Sequence, residues 1–198
     1  MTILVMTTGG TINAVAFTDP VHAPPVVTMP PDQTNRVQKV LETFSFVKVR
    51  IHPLKPVDSK EMNDAYRSDM LNIIEGASEK AVLITQGTDT LLQTADYFYH
   101  HSLTNNILQN KIILITGAMM PLGNGSNSDG YLNLEFSARQ LMNMSNQSPQ
   151  HIVFIVLCDY QETSTNAIEW YPKLYPYEPG VYEKFYDSDS RYNRLIRI

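Results

Sequence analysis

Residues 3–12 read Ile-Leu-Val-Met-Thr-Thr-Gly-Gly-Thr-Ile, and residues 82–90 read Val-Leu-Ile-Thr-Gln-Gly-Thr-Asp-Thr. Both stretches place a short, β-branched, apolar run ahead of a glycine turn that carries threonine hydroxyls. An apolar run without polar alternation reads as a parallel strand buried on both faces. The turn after it opens at the strand's carboxyl end, where open α/β sheets bind their ligands. Two such turns can converge there on one small substrate.

Working outward, three more runs read as strands: Val47 to Ile51, Lys111 to Thr116, and Ile152 to Leu157. They join Ile3 to Met6 and Ala81 to Thr85. Helical periods separate most of them. Residues 34–44 set Val37, Val40, Leu41 and Phe44 on one face, and residues 61–75 set Tyr66, Met70, Ile73 and Ile74 on another. Residues 89–100 offer Leu91, Leu92, Ala95 and Phe98, and residues 129–142 offer Leu132, Phe136 and Leu141. Strand alternating with helix predicts an α/β fold: three α-β-α layers around a mainly parallel sheet. Right-handed crossovers are expected throughout, and they place the strand-end turns on one rim.

The 198 residues suffice for one sizeable core with a small appendage. A net charge of -5 argues against a nucleic-acid surface, which needs a basic stripe. The one cysteine, Cys158, excludes an internal disulfide. It ends the apolar run Val153 to Leu157 and reads as a buried, inert thiol. No apolar run approaches a membrane span, and no basic flank precedes an apolar N-terminal stretch. A cytoplasmic protein is therefore expected, in which the sequons at Asn124, Asn143 and Asn146 stay idle.

Two segments break the alternation. Residues 13–32 hold Pro20, Pro24, Pro25, Pro30 and Pro31 without a helical period. Beside Gly9-Gly10-Thr11 they read either as a lid over a site or as a plain surface connection. From Tyr171 onward the chain is rich in tyrosine and proline. The expected organisation is a domain over residues 1–170, with residues 171–198 packed on it or on a second subunit.

For chemistry, the scattered His22, His52, His100, His101 and His151 give no metal-ligand spacing. Gly9-Gly10 lacks the third glycine of a dinucleotide fingerprint, and no G-x-S-x-G elbow is present. Threonine hydroxyls remain. At a strand end, a hydroxyl becomes a nucleophile if a base takes its proton, and Thr11 and Thr88 are the candidates. Gly10 permits close backbone approach, and the N–H groups after Gly10 and Gly87 are placed to stabilise an oxyanion. Asp89 is placed to hold a substrate ammonium. Against this, Thr88, Asp89 and Thr90, and likewise Ser128-Asp129, are each good helix caps, and capping alone explains any one of them. The repetition of Gly-Thr at two strand ends favours the site.

Here the chain resembles the bacterial-type L-asparaginase family, over roughly residues 1–160. Thr8-Gly9-Gly10-Thr11-Ile12 is similar to its first catalytic block, and Asp58-Ser59-Lys60-Glu61-Met62-Asn63-Asp64 to its substrate-binding turn. Ile84-Thr85-Gln86-Gly87-Thr88-Asp89-Thr90 is similar to the second block. Thr116-Gly117-Ala118-Met119-Met120-Pro121, Ser128-Asp129-Gly130 and Asn133-Leu134 are similar to the third. The resemblance implies the family's N-terminal domain, of Rossmann-like or flavodoxin-like architecture. It implies hydrolysis of a side-chain amide, as in L-asparagine, to a carboxylate and ammonia. Thr11 would be the nucleophile and Thr88 the second essential hydroxyl. Asp89 would bind the α-ammonium and Ser59 the α-carboxylate, with the Ala118 carbonyl near the leaving nitrogen. No cofactor, metal, nucleic acid or membrane is implied, and a homodimer is expected.

The chain departs from that pattern. The family's lysine after the fifth strand has no counterpart in place, because Lys173 is displaced and follows a proline. No tyrosine occurs between residues 12 and 65 to serve the lid. Gln86 replaces a usual histidine and Met120 a usual arginine. The chain stops at residue 198, where the resemblance would have the family's smaller C-terminal domain begin. Two functions follow: an amidohydrolase, or a catalytically impaired amino-acid-binding module, such as a sensor or regulatory subunit, that retains the pocket.

Overall fold

The apolar runs form the strands expected of them. The computed structural model describes residues 1–14, 35–145, 152–162, 168–186 and 193–197. Strands β1 (Thr2–Thr7), β2 (Lys48–Pro53), β3 (Ala81–Thr85), β4 (Ile112–Thr116) and β5 (Val153–Glu162) are mutually parallel. Strand β6 (Ile168–Pro176) adds an antiparallel edge, giving the order β2-β1-β3-β4-β5-β6. A separate hairpin pairs β7 (Tyr182–Tyr186) with β8 (Asn193–Arg197). The first five strands follow the flavodoxin-like order, whose topological switch lies between β1 and β3.

The helices are α1 (Arg36–Glu42), α2 (Asp64–Gly76), α3 (Leu91–Thr104) and α4 (Asp129–Met144). Three begin with a side-chain cap: Asn35 accepts from the Gln38 amide, Asn63 from Tyr66 and Ser128 from Gly130, each at 3.0 Å. Strand pleating divides the core in two. Leu4, Met6, Val82, Ile84, Ile113 and Ile115 face Met70 and Ile74 of α2 and Ala95 and Phe98 of α3. Ile3, Val5, Leu83 and Leu114 face Val37 and Leu41 of α1 and Leu134, Ala138 and Leu141 of α4. Alternate residues of each central strand thus feed opposite layers, which is why these strands lack polar alternation.

One expectation is corrected here. The step from β1 to β2 runs one way across the sheet with α1 on one face. The steps from β2 to β3 and β3 to β4 run the other way with α2 and α3 on the opposite face, so these three crossovers share a hand. The step from β4 to β5 continues in the second direction, yet α4 lies on the face of α1. That crossover therefore has the opposite hand to the other three, against the general rule. Its effect is local. It brings the start of α4 beside the turn after β1, where a β-carbon on Gly130 would stand 3.2 Å from Ile12 Cγ1.

Strand β6 carries the chain across residue 170, so the sheet continues through the start of the tyrosine-rich region. Pro172 and Pro176 are tolerated because β6 is an edge strand, where an N–H is dispensable. Tyr177 is buried, packs against Tyr99 and donates to Asp96 Oδ1 at 2.8 Å. The expected lid, apart from Asn13 and Ala14, lies outside the described residues. So does Tyr192.

Candidate active site

The turns after β1 and β3 are in direct backbone contact. Gly10 has φ +79°, and a β-carbon there would lie 2.4 Å from the Gly87 nitrogen. No L side chain fits that approach, so both the turn and the contact require glycine. Gly87 in turn abuts Ser59, whose Oγ would lie 2.6 Å from a β-carbon at Gly87. Thr8 ties the turns together: its amide and its hydroxyl both donate to the Thr85 carbonyl, at 3.1 and 3.0 Å. The meeting point is the switch between β1 and β3.

Around it the structure gathers the residues singled out in the sequence. Thr11 opens a 3-10 turn, Thr11–Asn13, and is partly exposed. Thr88 is buried at the head of a second such turn, Thr88–Thr90, and donates to Met119 Sδ at 3.6 Å. Ser59 is buried and donates to Asp89 Oδ2 at 3.4 Å, while the Asp89 residue remains exposed. Thr90 donates to the Ser59 carbonyl at 2.8 Å, which fixes the Thr88–Thr90 turn to the Ser59–Glu61 turn. Ala118 is buried in the turn after β4, and Gly117 packs so closely that a β-carbon would meet the Gln86 carbonyl at 2.7 Å. Four separated segments thus share one rim.

Other residues hold this rim that sequence reasoning took only as caps or as motif letters. Asp129 is 3% exposed and accepts from the Met119 amide at 3.1 and 3.2 Å and from Met120 at 2.8 Å. Burial pushes its carboxyl up to about 6, against the pull of those amides. Ser128 caps α4 as read, and it also donates to the Met120 carbonyl at 2.7 Å. Asn133 donates to the Gly117 carbonyl at 2.9 Å. The available signal was polarity at core-facing positions of an amphipathic helix.

The comparisons bear on kinship. The family model for the asparaginase N-terminal domain matches residues 2–160. The chain belongs to the asparaginase family. No curated protein matches it in sequence. Among solved structures, L-asparaginase I from Vibrio cholerae O1 biovar eltor str. N16961 superposes with a TM-score of 0.61 at 20% identity. That likeness covers 98% of this chain and 50% of the other. The thermostable L-asparaginase from Thermococcus kodakarensis gives 0.50 at 17% identity, covering 100% and 56%. At such identities the likeness is one of fold, and this asparaginase-family chain spans about half the length of those enzymes.

The displaced lysine now has a place. Pairing of β5 with β6 sets Lys173 opposite Leu157, and its Nζ lies 2.5 Å from Asp159 Oδ2. The hydrogen bond to Asp159 holds the ammonium above the usual lysine range. A lysine that takes a proton needs the opposite shift. Lys60 is exposed on the Ser59–Glu61 turn. Gln86, in the place of the histidine, is wholly buried, and its Oε1 has no partner among the described residues. Cys158 is buried and its thiol is pushed up by that burial, with Asp129 and Asp159 adding to the shift. A nucleophilic role would need the reverse.

Proposed function

We propose that this chain is an asparaginase-like amidohydrolase acting on the side-chain amide of L-asparagine or a related small amide. The observation that supports the reading is the close approach of Gly10 to Gly87 and of Gly87 to Ser59, next to Thr11, Thr88 and Asp89 in the chain. Membership of the asparaginase family supports it.

In this reading Asp89 and Ser59 hold the substrate's ammonium and carboxylate. Thr11 Oγ1 attacks the amide carbon, and the proton it loses is passed to the amide nitrogen, which can then leave as ammonia. Backbone N–H groups after Gly10 and Gly87 stabilise the developing oxyanion. Collapse of the tetrahedral species breaks the carbon–nitrogen bond and releases ammonia, and water then cleaves the threonyl ester to the carboxylate. Thr88 acts as the second hydroxyl, and Ala118 faces the leaving nitrogen. The chain works without metal or cofactor, as a cytoplasmic homodimer.

One observation favours a second reading. Lys173 is engaged by Asp159 and held protonated, so this side chain is a poor proton acceptor. An amino-acid-binding module that has lost turnover would retain Asp89 and Ser59 and need no such acceptor.

Ammonia release from L-asparagine, L-glutamine and simple amides separates the readings, with Thr11→Ala and Thr88→Val as controls. Release that falls at least ~10³-fold in both variants, with unchanged circular dichroism, is the expected result. Equal release by wild type and variants sinks the mechanism. No release, with calorimetric binding of aspartate, transfers the conclusion to the binding module. Light scattering at assay concentration tests the dimer, which a monodisperse monomer excludes.

A further inference from the structure

Asp129 belongs to none of the proposed catalytic roles, yet it is the most deeply buried carboxylate beside the site. It sits at the first position of α4, where the amides of Asp129 and Gly130 favour its charge. It also reaches back to the turn after β4 and accepts from two consecutive amides, Met119 and Met120. Met119 is the residue whose sulfur accepts from the Thr88 hydroxyl. Ser128 and Asn133, from the same end of α4, hold the Met120 and Gly117 carbonyls on either side. Ala118 lies between these anchors. The crossover of opposite hand makes this possible, because it places α4 on the face of the turn that carries Thr11.

We propose that Asp129, in its ionised form, is a positioning residue: it clamps the Gly117–Met120 turn and so sets Thr88 and Ala118 for the reaction. Two N–H donors converge on one carboxylate, and the ionised group accepts them through charge-assisted bonds stronger than those the neutral acid makes. Protonation turns one oxygen into a donor facing donors, and the turn loosens. The residue acts on turnover through Met119, not by touching substrate, and the clamp makes the site sensitive to pH. The surrounding charges leave Asp129 to titrate on its own account. On β5, Cys158 donates its thiol to the Asp129 carbonyl at 3.8 Å, and Asp159 is ion-paired to Lys173 of β6. On α4 itself Glu135 pairs with Arg139, with Tyr131 exposed beyond, and on α1 Arg36 donates to the Asn13 carbonyl. Burial, more than any charge among the described residues, raises the Asp129 carboxyl into the range where a mildly acid medium switches it.

The consequence for turnover rests on the amidohydrolase reading, and the clamp itself does not. The experiment therefore reads both. Amide hydrogen exchange at Met119 and Met120 is followed from pH 5 to 8, corrected for intrinsic exchange, in wild type, Asp129→Asn and the milder Ser128→Ala. Ammonia release is measured alongside. The expected result is protection in wild type that falls about tenfold between pH 7 and 5. Asp129→Asn loses it at every pH, and Ser128→Ala loses two- to threefold. In parallel, kcat of wild type falls below pH 6 with little change in KM, and Asp129→Asn shows a low, flat profile. Should Asp129→Asn not fold, the wild-type pH dependence and Ser128→Ala decide. Protection independent of pH, or unchanged in the variants, overturns the clamp. Loss of protection in a wild type that releases no ammonia sustains the clamp and removes only the amidohydrolase reading.

Discussion

Two carboxylates at opposite ends of the sheet have been shifted in opposite directions. Glu79, before β3 at the amino end, accepts both prongs of Arg50, Nε at 2.6 Å and Nη2 at 2.8 Å. The Arg50 hydrogen bond lowers its carboxyl to about 2. Beside it the Lys111 ammonium, lowered by burial, donates to the Ala77 and Glu79 carbonyls at 2.6 and 2.9 Å. Asp129, at the carboxyl end, has no cationic partner in contact among the described residues and is raised to about 6 by burial. One rim is built of opposite charges that satisfy each other. The other keeps a buried carboxylate on backbone amides alone, beside glycine contacts. Nearby, Thr85, Gln86 and Asn133 each have a buried oxygen without a partner among the described residues. The second rim is the one on which the proposed site lies.

The sharpest break of that contrast is Gly10→Ala. Its β-carbon would enter the Gly87 backbone at 2.4 Å from a left-handed φ of +79°, so the turns after β1 and β3 must separate. Ammonia release is expected to fall at least ~10³-fold, and stability by more than about 2 kcal/mol. Near-normal release with an unchanged thermal midpoint means the rim is not assembled as described.

Next comes the pH dependence of stability, where the two carboxylates carry opposite signs. Glu79 is depressed in the folded state, so its contribution is complete above about 4.5 and lost as pH falls through about 2. Asp129 is raised, so its contribution is complete below 3.8 and lost as pH rises through about 6. Holding Asp129 ionised at neutral pH costs the fold roughly 3 kcal/mol. Urea titrations should therefore show Asp129→Asn flattening the curve between pH 4 and 6, with stability at pH 7 no lower than wild type. Greater sensitivity to urea at pH 7 makes the carboxylate a net stabiliser instead.

Glu79→Gln should remove a smaller amount at pH 7, about 1–2 kcal/mol, because Arg50 is nearly half exposed and solvent screens the pair. The same variant should abolish the acid limb between pH 4.5 and 2. An intact limb assigns acid sensitivity to other carboxylates.

The smallest effect belongs to Gly76→Ala at the end of α2. No atom lies within 4 Å of the added carbon, so a gain of about 0.5 kcal/mol is expected from the lost freedom of the unfolded chain. A loss there means the glycine is used for something the packing does not reveal. Against Gly10→Ala, it separates glycines kept for contact from those merely tolerated.

Much of the fold was legible because each strand and helix announces itself over a few residues. Ile3 to Met6, Ala81 to Thr85 and the helical faces of Met70, Ile74, Ala95 and Phe98 all lie where the periodicity puts them. The helix expected over 34–44 shrank to Arg36–Glu42, where Asn35 caps it and Thr43 ends it. The gathering of Thr11, Thr88, Asp89, Ser59 and Ala118 was legible too, since strand ends of a parallel sheet share a rim. Asp129 was read as a cap because local sequence describes a residue's own helix. Its true partners lie nine and ten residues upstream, across a crossover.

The sequence by itself determined the five parallel strands, the four helices, the glycine turns and the family, because those depend on short-range periodicity and on residue types at fixed spacing, whereas β6 and the β7–β8 hairpin were not read from it. Tertiary structure alone decided the opposite hand of the last crossover, the burial of Asp129 against the turn after β4, and the pairing of Lys173 with Asp159 across β5 and β6. Each of these depends on which face an element packs against or which strand it pairs with, and that choice minimises the energy of the whole core, not of any one segment.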